Sequence, residues 1–241
     1  MLELVIVRHG ESVRNHASDL AHHGQFTLLE YQLRFDRDET SWDLTQRGIE
    51  QARTAGAWIR ENIGQCFDRQ YVSPFKRTRQ TAASLELRCN DWIIDDRLRE
   101  RDWGDYSAPG LSPYTVEQYL YDLACCGAVN WKREFPNAES VADMIPRCRS
   151  FIESLIKQKI EGRVILVTHG GTMKSLELVI ERLSIDQADR LAERRLTNCS
   201  VLQYQLSNFD ETESCWMGRV RFASPTVEGI PVSDWQPIAG C

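Results

Sequence analysis

The chain has 241 residues, 42 % of them hydrophobic and 27 % charged, enough for one sizeable core in one large domain. A formal net charge of −6 offers no basic surface for nucleic acid or anionic lipid, so an anionic ligand needs cations gathered locally. No apolar run reaches membrane-spanning length, no signal peptide precedes the first strand, and the eight cysteines form no C-x-x-C pair, which reads as reduced thiols in a cytoplasmic protein.

Residues 2–7, LELVIV, read as a short buried strand that runs straight into Arg8, His9 and Gly10. The segment 15–43 is mixed and polar, with no clear period. From Thr45 the pattern turns helical: Ile49, Ala52, Gly56, Ile59 and Ile63 recur at three- and four-residue steps, with Thr45 as N-cap and Gly64 as stop. DRQYVSPF, 68–75, predicts a second strand end, followed by a helix from Pro74 to about Leu87. DWIIDD, 91–96, is a third strand candidate. Turn signals around a short apolar helix at 116–126 mark 105–138 as an insertion. The stripe Val141, Met144, Ile145, Cys148, Phe151, Ile152, Leu155 and Ile156 predicts a helix that Pro146 should kink or restart.

GRVILVTHGG, 162–171, is the clearest element, an apolar strand ending in Thr-His-Gly-Gly with a helix following at about 172–183. SVLQYQL and CWMGRVRF predict late strands in a hairpin, and the last 18 residues, with three prolines, an extended tail. Strands alternating with helices argue for an open α/β sheet, in which ligands collect at the carboxyl ends of strands. Two of the five histidines, His9 and His169, lie at such ends, each followed by glycine. Helix starts there offer N–H groups, and the glycines let backbone approach a ligand closely, a geometry suited to an oxyanion. Arg8 supplies one cation, and SPFKRTRQTA offers both Arg77 and Arg79. DDRLRERDWGDY adds three carboxyls that could serve as a general acid, Glu100, Asp102 and Asp105, and spacing does not choose among them.

Five blocks, in this order, resemble the histidine phosphatase superfamily, also called phosphoglycerate mutase-like. They are Arg8-His9-Gly10-Glu11-Ser12 with Asn15, and Asp43-Leu44-Thr45-x-x-Gly48-x-x-Gln51-Ala52. The others are Ser73-Pro74-x-x-Arg77-x-x-Gln80-Thr81-Ala82, Leu98-x-Glu100-x-x-x-Gly104, and Thr168-His169-Gly170-Gly171. The resemblance implies a three-layer α/β/α fold with a mostly parallel central sheet and cap-like insertions at about 16–42 and 105–138, within a single domain spanning 1–241. It implies His9 as nucleophile, Arg8, Arg77 and His169 around the phosphoryl oxygens, and Glu100 as proton donor. Ser12, Asn15 and the Gly170 N–H would add substrate contacts, and Asp43 would be structural. No metal and no cofactor is implied. The partner is a small phosphate ester, with a homo-oligomer left open.

The chain departs from the family pattern in its two insertions, in Ser107-Ala108 where Glu-Gly is common, and in Ala138 where a Pro-x-Gly-Glu-Ser segment has glycine. The 111–138 insertion holds only Lys132 and Arg133 as cations, beside Glu117, Asp122 and Glu134. Phosphoglycerate mutases carry a more basic insertion, so phosphatase is the expectation and mutase the alternative. A catalytically idle phosphate-binding scaffold is a third reading, whose expected mark is loss of His9, Glu100 or an arginine. His16, His22 and His23 lack a cysteine or carboxylate pair at zinc-ligand spacing and read as solvated or rim residues. Phe26, Tyr31, Trp42, Tyr114, Tyr119, Tyr121 and Trp131 would line an apolar wall or pack a cap.

Overall fold

The computed structural model describes residues 1–22, 39–88, 91–102, 138–183, 196–210, 215–224 and 231–238. Most of both expected insertions, Asp105, and all of the insertion aromatics except the buried Trp42 lie outside the described residues. The described elements are β1 (Leu2–Arg8), α1 (Val13–His22), α2 (Gln46–Asn62), β2 (Arg69–Val72), α3 (Lys76–Ser84), β3 (Ile93–Ile94), α4 (Val141–Lys157), β4 (Gly162–Thr168), α5 (Gly170–Ile180), β5 (Val201–Asp210), β6 (Cys215–Ala223) and β7 (Gln236–Pro237).

The strands form one seven-stranded sheet in the order β3-β2-β4-β1-β5-β6-β7. The half that ends in the two histidines is parallel, β3 to β2, β2 to β4 and β4 to β1. The expected late hairpin, β5 with β6, extends it in antiparallel fashion on the β1 side. The expected tail contributes β7, which pairs antiparallel with β6.

Alternation along β1 sorts its side chains into two cores. Leu2, Leu4 and Ile6 pack with Phe151 and Leu155 of α4 and Met173 and Leu176 of α5. Val5 and Val7 pack with Ala52, Ala55 and Ile59 of α2 and Ala82 of α3. A strand buried on both faces must be apolar throughout, which is why LELVIV and RVILV show little polar alternation. Helices over both faces complete the three layers, and each large side chain so buried stabilises the fold by about 1.5–3 kcal/mol.

Two local expectations change. Residues 13–22 are helical, although the segment showed no period. Ser12 and Asn15 supply the start signal: the Asn15 N–H donates to the Ser12 hydroxyl at 3.3 Å, and the Ser12 N–H donates back to Asn15 Oδ1 at 3.1 Å. Helix α4 runs through Pro146 as one element. Pro146 lies in its second turn and deprives only the Ala142 carbonyl of a donor, while the Ser140–Asp143 capping box anchors the start.

Candidate active site

Register brings the two histidines together. Arg8 pairs with Thr168 across the parallel β1–β4 ladder, so His9 and His169 leave adjacent strands side by side. The His9 N–H donates to the Thr168 carbonyl at 2.9 Å, and the rings lie 5.2 Å apart, edge to face. Both side chains are buried.

The loop after β1 is latched to α2 and α3. A Cβ on Gly10 would meet the Gly48 carbonyl oxygen at 2.3 Å, and one on Gly48 the Glu11 carbonyl oxygen at 2.0 Å, so two backbones touch where only glycine fits. The Thr45 N–H donates to the Glu11 carbonyl at 2.9 Å, the Glu11 N–H to Gln51 Oε1 at 2.9 Å, and the Gly10 N–H to Thr81 Oγ1 at 3.0 Å. The Glu11 carboxylate accepts from Thr45 at 2.7 Å and Arg47 at 3.2 Å. The Asp43 carboxylate accepts from Lys76 and Gln80, both at 2.7 Å, and the Leu44 N–H donates to Gln80 Oε1 at 2.8 Å, which ties α3 to the segment before α2.

These latches fix the protonation of His9. Its Nδ1 lies 2.7 Å from the Gly10 carbonyl, which can only accept, so Nδ1 carries the proton. The Arg77 Nε–H donates to His9 Nε2 at 3.3 Å, so Nε2 presents its lone pair. Burial above all, then Arg77 and Arg8, hold the His9 pKa well below that of a free imidazole, with the Gly10 hydrogen bond opposing. Arg77 is itself buried, its Nη1 donating to the Glu39 carbonyl at 2.8 Å, and burial lowers its pKa to about 10, which leaves it charged at neutral pH.

His169 takes the same tautomer but turns its other edge to the site. Its Nε2 lies 2.8 Å from the hydroxyl of Ser73, which is fully buried and also receives the Phe75 N–H at 3.5 Å. The Ser73 hydroxyl proton has Nε2 as its acceptor, which puts the His169 proton on Nδ1. Among the described residues the buried Nδ1 has no partner, a donor lacking an acceptor beside His9. Burial first, then Arg77, keep this ring neutral as well.

Arg8 donates from Nη1 to the Leu196 carbonyl, and its guanidinium packs over Gly170, whose Cβ position is 3.5 Å from Arg8 Nε. His169 is the N-cap of α5, so the first N–H groups of that helix start at Gly170. Glu100 is half-buried, its carboxylate accepting the Arg101 N–H at 3.0 Å, and it is the leading favourable charge on Arg77. Asp102 is exposed, and its N–H and carbonyl are bonded to Glu139. Of the two candidate arginines in α3, Arg77 is buried and Arg79 exposed.

The Ser12 hydroxyl donates to Asn15 Oδ1 at 3.0 Å, which makes it the cap of α1. Asn15 Oδ1 also accepts from Asn198 at 3.2 Å, which leaves the Asn15 NH₂ as the part of that amide suited to an anion. Asn198 donates to the His9 carbonyl as well, at 3.1 Å. Sequence reasoning missed Asn198 and gave Ser73 no role. Ser73 stood in a quoted block, whereas nothing near Asn198 marks it. Among the described residues no group of three or more His, Cys, Asp or Glu gathers at metal-ligand geometry, and none of the helices is long and apolar enough to cross a membrane. Of the three histidines weighed for zinc, the side chains of His22 and His23 lie outside the described residues.

Two neutral imidazoles, two arginines and a helix start at the carboxyl ends of the central strands β1 and β4 make a site for a tetrahedral oxyanion, with an unprotonated ring nitrogen facing it. Known proteins share this arrangement's sequence and fold. The chain is 30 % identical over 196 residues to the 2,3-bisphosphoglycerate-dependent phosphoglycerate mutase of Rhizobium etli, covering 77 % of this chain and 83 % of the relative. It is also 30 % identical over 178 residues to phosphoserine phosphatase 1 of Hydrogenobacter thermophilus, covering 73 % and 74 %. A mycobacterial glucosyl-3-phosphoglycerate phosphatase, solved with VO3, has the same fold at a TM-score of 0.62 and 24 % identity, over 85 % of this chain and 92 % of that one. Residues 4–214, nearly the whole span that holds the site, match the sequence profile of one family, and the chain belongs to the histidine phosphatase superfamily, branch 1.

Proposed function

We propose that the protein is a phosphomonoester phosphatase that works through a phosphohistidine on a small phosphorylated metabolite and needs no metal. One observation carries this reading: His9 Nε2 is held unprotonated between a carbonyl-locked Nδ1 and a buried arginine. Nε2 attacks phosphorus as the ester P–O bond breaks, and Glu100 delivers a proton to the leaving oxygen. The Glu100 carboxylate then takes a proton from water, whose oxygen attacks phosphorus as the N–P bond breaks, and inorganic phosphate leaves. Arg8, Arg77 and the His169 Nδ1–H hold the equatorial oxygens, with Asn15 and the Gly170 N–H as neutral donors. The arginines already supply the positive charge for which other phosphoryl-transfer enzymes use a metal. Ser12 acts through Asn15. Cytoplasmic placement suits the buried free thiols of Cys148 and Cys199, both pushed up to about 12 by burial.

Mutase-type transfer is the rival reading, and the 30 % identity to a mutase favours it as much as the 30 % identity to a phosphatase opposes it. The acidic balance of 111–138, with two lysine or arginine residues against three carboxylates, gives little to hold a substrate's carboxylate or second phosphate. Rapid quench with a ³²P-labelled ester should place acid-labile label on the peptide containing residues 5–14, and His9→Ala should lose both label and turnover while folding normally. Label on serine, or no label with a good substrate, overturns the mechanism. Phosphate release from a good ester substrate is expected in EDTA as in buffer, and no isomerisation of 3-phosphoglycerate; isomerisation would favour the mutase, and loss of release in EDTA restored by a divalent ion would overturn the metal-free step.

A further inference from the structure

We infer that Arg147 and Gly171 are positioning residues for the proton donor, a seat that holds Glu100 in place without touching substrate; this rests on the proposed role of Glu100 as acid. Glu100 lies beyond the short 3-10 turn Asp96–Leu98, in a segment with no helix or strand of its own. Its backbone must therefore be held from outside.

Arg147 of α4 does much of the holding. Its Nη1 donates to the carbonyls of Arg97 and Arg99, both at 2.8 Å, and its Nη2 to the Glu100 carbonyl at 3.3 Å and to Glu139 at 3.4 Å. Glu139 closes the clamp by pairing with Arg99 at 2.7 Å and accepting the Asp102 N–H at 2.9 Å. Thr168 and Thr172 donate to the Leu98 and Arg99 carbonyls, both at 2.7 Å, so the strand and helix that carry His169 also hold the acid's backbone. A guanidinium reaches several carbonyls at once because its N–H groups form a fixed fork; a lysine would not.

Gly171 seats the carboxylate. Its backbone is helical, where alanine is the better helix former, so conformation does not require glycine there. Space does: a Cβ on residue 171 would lie 2.6 Å from Glu100 Oε1, while its next neighbour from another residue, Met144 Cε, would be at an ordinary 3.8 Å. A methyl group at 171 therefore displaces the Glu100 carboxylate and little else, since the atom in its way ends a flexible side chain.

The test measures first-turnover phosphoenzyme formation from an alkyl phosphate, whose leaving group needs a proton, and from p-nitrophenyl phosphate, whose leaving group does not. Gly171→Ala should slow the alkyl phosphate by about 10- to 100-fold, the scale of a misplaced catalytic group, and p-nitrophenyl phosphate by less than about 3-fold. Arg147→Lys should show the same selectivity. Adding Glu100→Gln to Gly171→Ala should cost no more than Glu100→Gln alone, because residues acting as one unit are not additive. Selective loss in Glu100→Gln but equal losses for both substrates in Gly171→Ala, or fully additive effects, would overturn the seat and leave the acid standing. No selectivity in Glu100→Gln would overturn the acid and its seat together. Should Arg147→Lys fail to fold, Gly171→Ala decides.

Discussion

His9 and His169 sit in one pocket as the same tautomer turned to opposite use, one offering the Nε2 lone pair and the other the Nδ1–H, with Gly10 fixing the first proton and Ser73 the second. Their lowered pKa values have a consequence for stability. Below the ordinary value of 6.5 the unfolded chain takes up protons that the folded chain refuses. Stability from these groups is therefore fully present above 6.5 and falls as pH drops through it, by about 1.4 kcal/mol per pH unit for each histidine. Urea midpoints at pH 5.5 and 7.5 should differ less in His169→Gln than in the unaltered protein; an unchanged difference would mean that this ring titrates normally. The arginines separate by exposure. Arg77→Ala should cost about 3 kcal/mol or more of transition-state stabilisation in kcat/KM, and Arg79→Ala close to nothing; equal losses would place both guanidiniums on the phosphate. At this scale the sequence was informative where chemistry sits in short blocks: the residues quoted around His9, Arg77 and His169 meet at the carboxyl ends of the central strands. It was silent on Asn198, Arg147 and the spatial reason for Gly171, whose partners at the site, the His9 carbonyl, the Arg97, Arg99 and Glu100 carbonyls and the Glu100 carboxylate, come from distant segments of the chain.

Helix α2 does more than fill one side of the sheet. Its N-cap Thr45 accepts the Gly48 N–H at 3.0 Å and at the same time donates to the Glu11 carboxylate, so the helix start and the loop that carries His9 share one side chain. Thr45→Ala should lower stability by about 1 kcal/mol, the usual cost of a lost cap, readable as a denaturant midpoint. Gly48→Ala drives a methyl into the Glu11 carbonyl and should cost about 1–3 kcal/mol and most of the turnover, by shifting His9. Retained turnover with the stability loss would show that the loop adjusts independently of the imidazole. Elements with a long apolar period, α2 and α4, were legible, α2 with its N-cap Thr45 but α4 without the Ser140–Asp143 capping box that starts it. Helix α1 was not, because its ten residues are mostly polar and its signal lay in the Ser12–Asn15 cap. Pro146 was read as a break because proline is usually one; near a capped helix start it removes a single hydrogen bond.

Across the molecule, the sheet order was the least legible feature, since pairing depends on contacts between distant segments. Strand β4 is inserted between β2 and β1, although 89 positions separate the last residue of β2, Val72, from the first of β4, Gly162. Until that strand arrives, β1 has no parallel partner, and His9 lacks both the Thr168 carbonyl beneath it and the His169 ring beside it. During synthesis His9 is made well before β4, yet the site around its imidazole can close only after residue 169 has left the ribosome. Between the synthesis of β1 and of β4 the nascent chain carries a solvated imidazole of ordinary acidity, and the proposed chemistry waits on the insertion of one late strand.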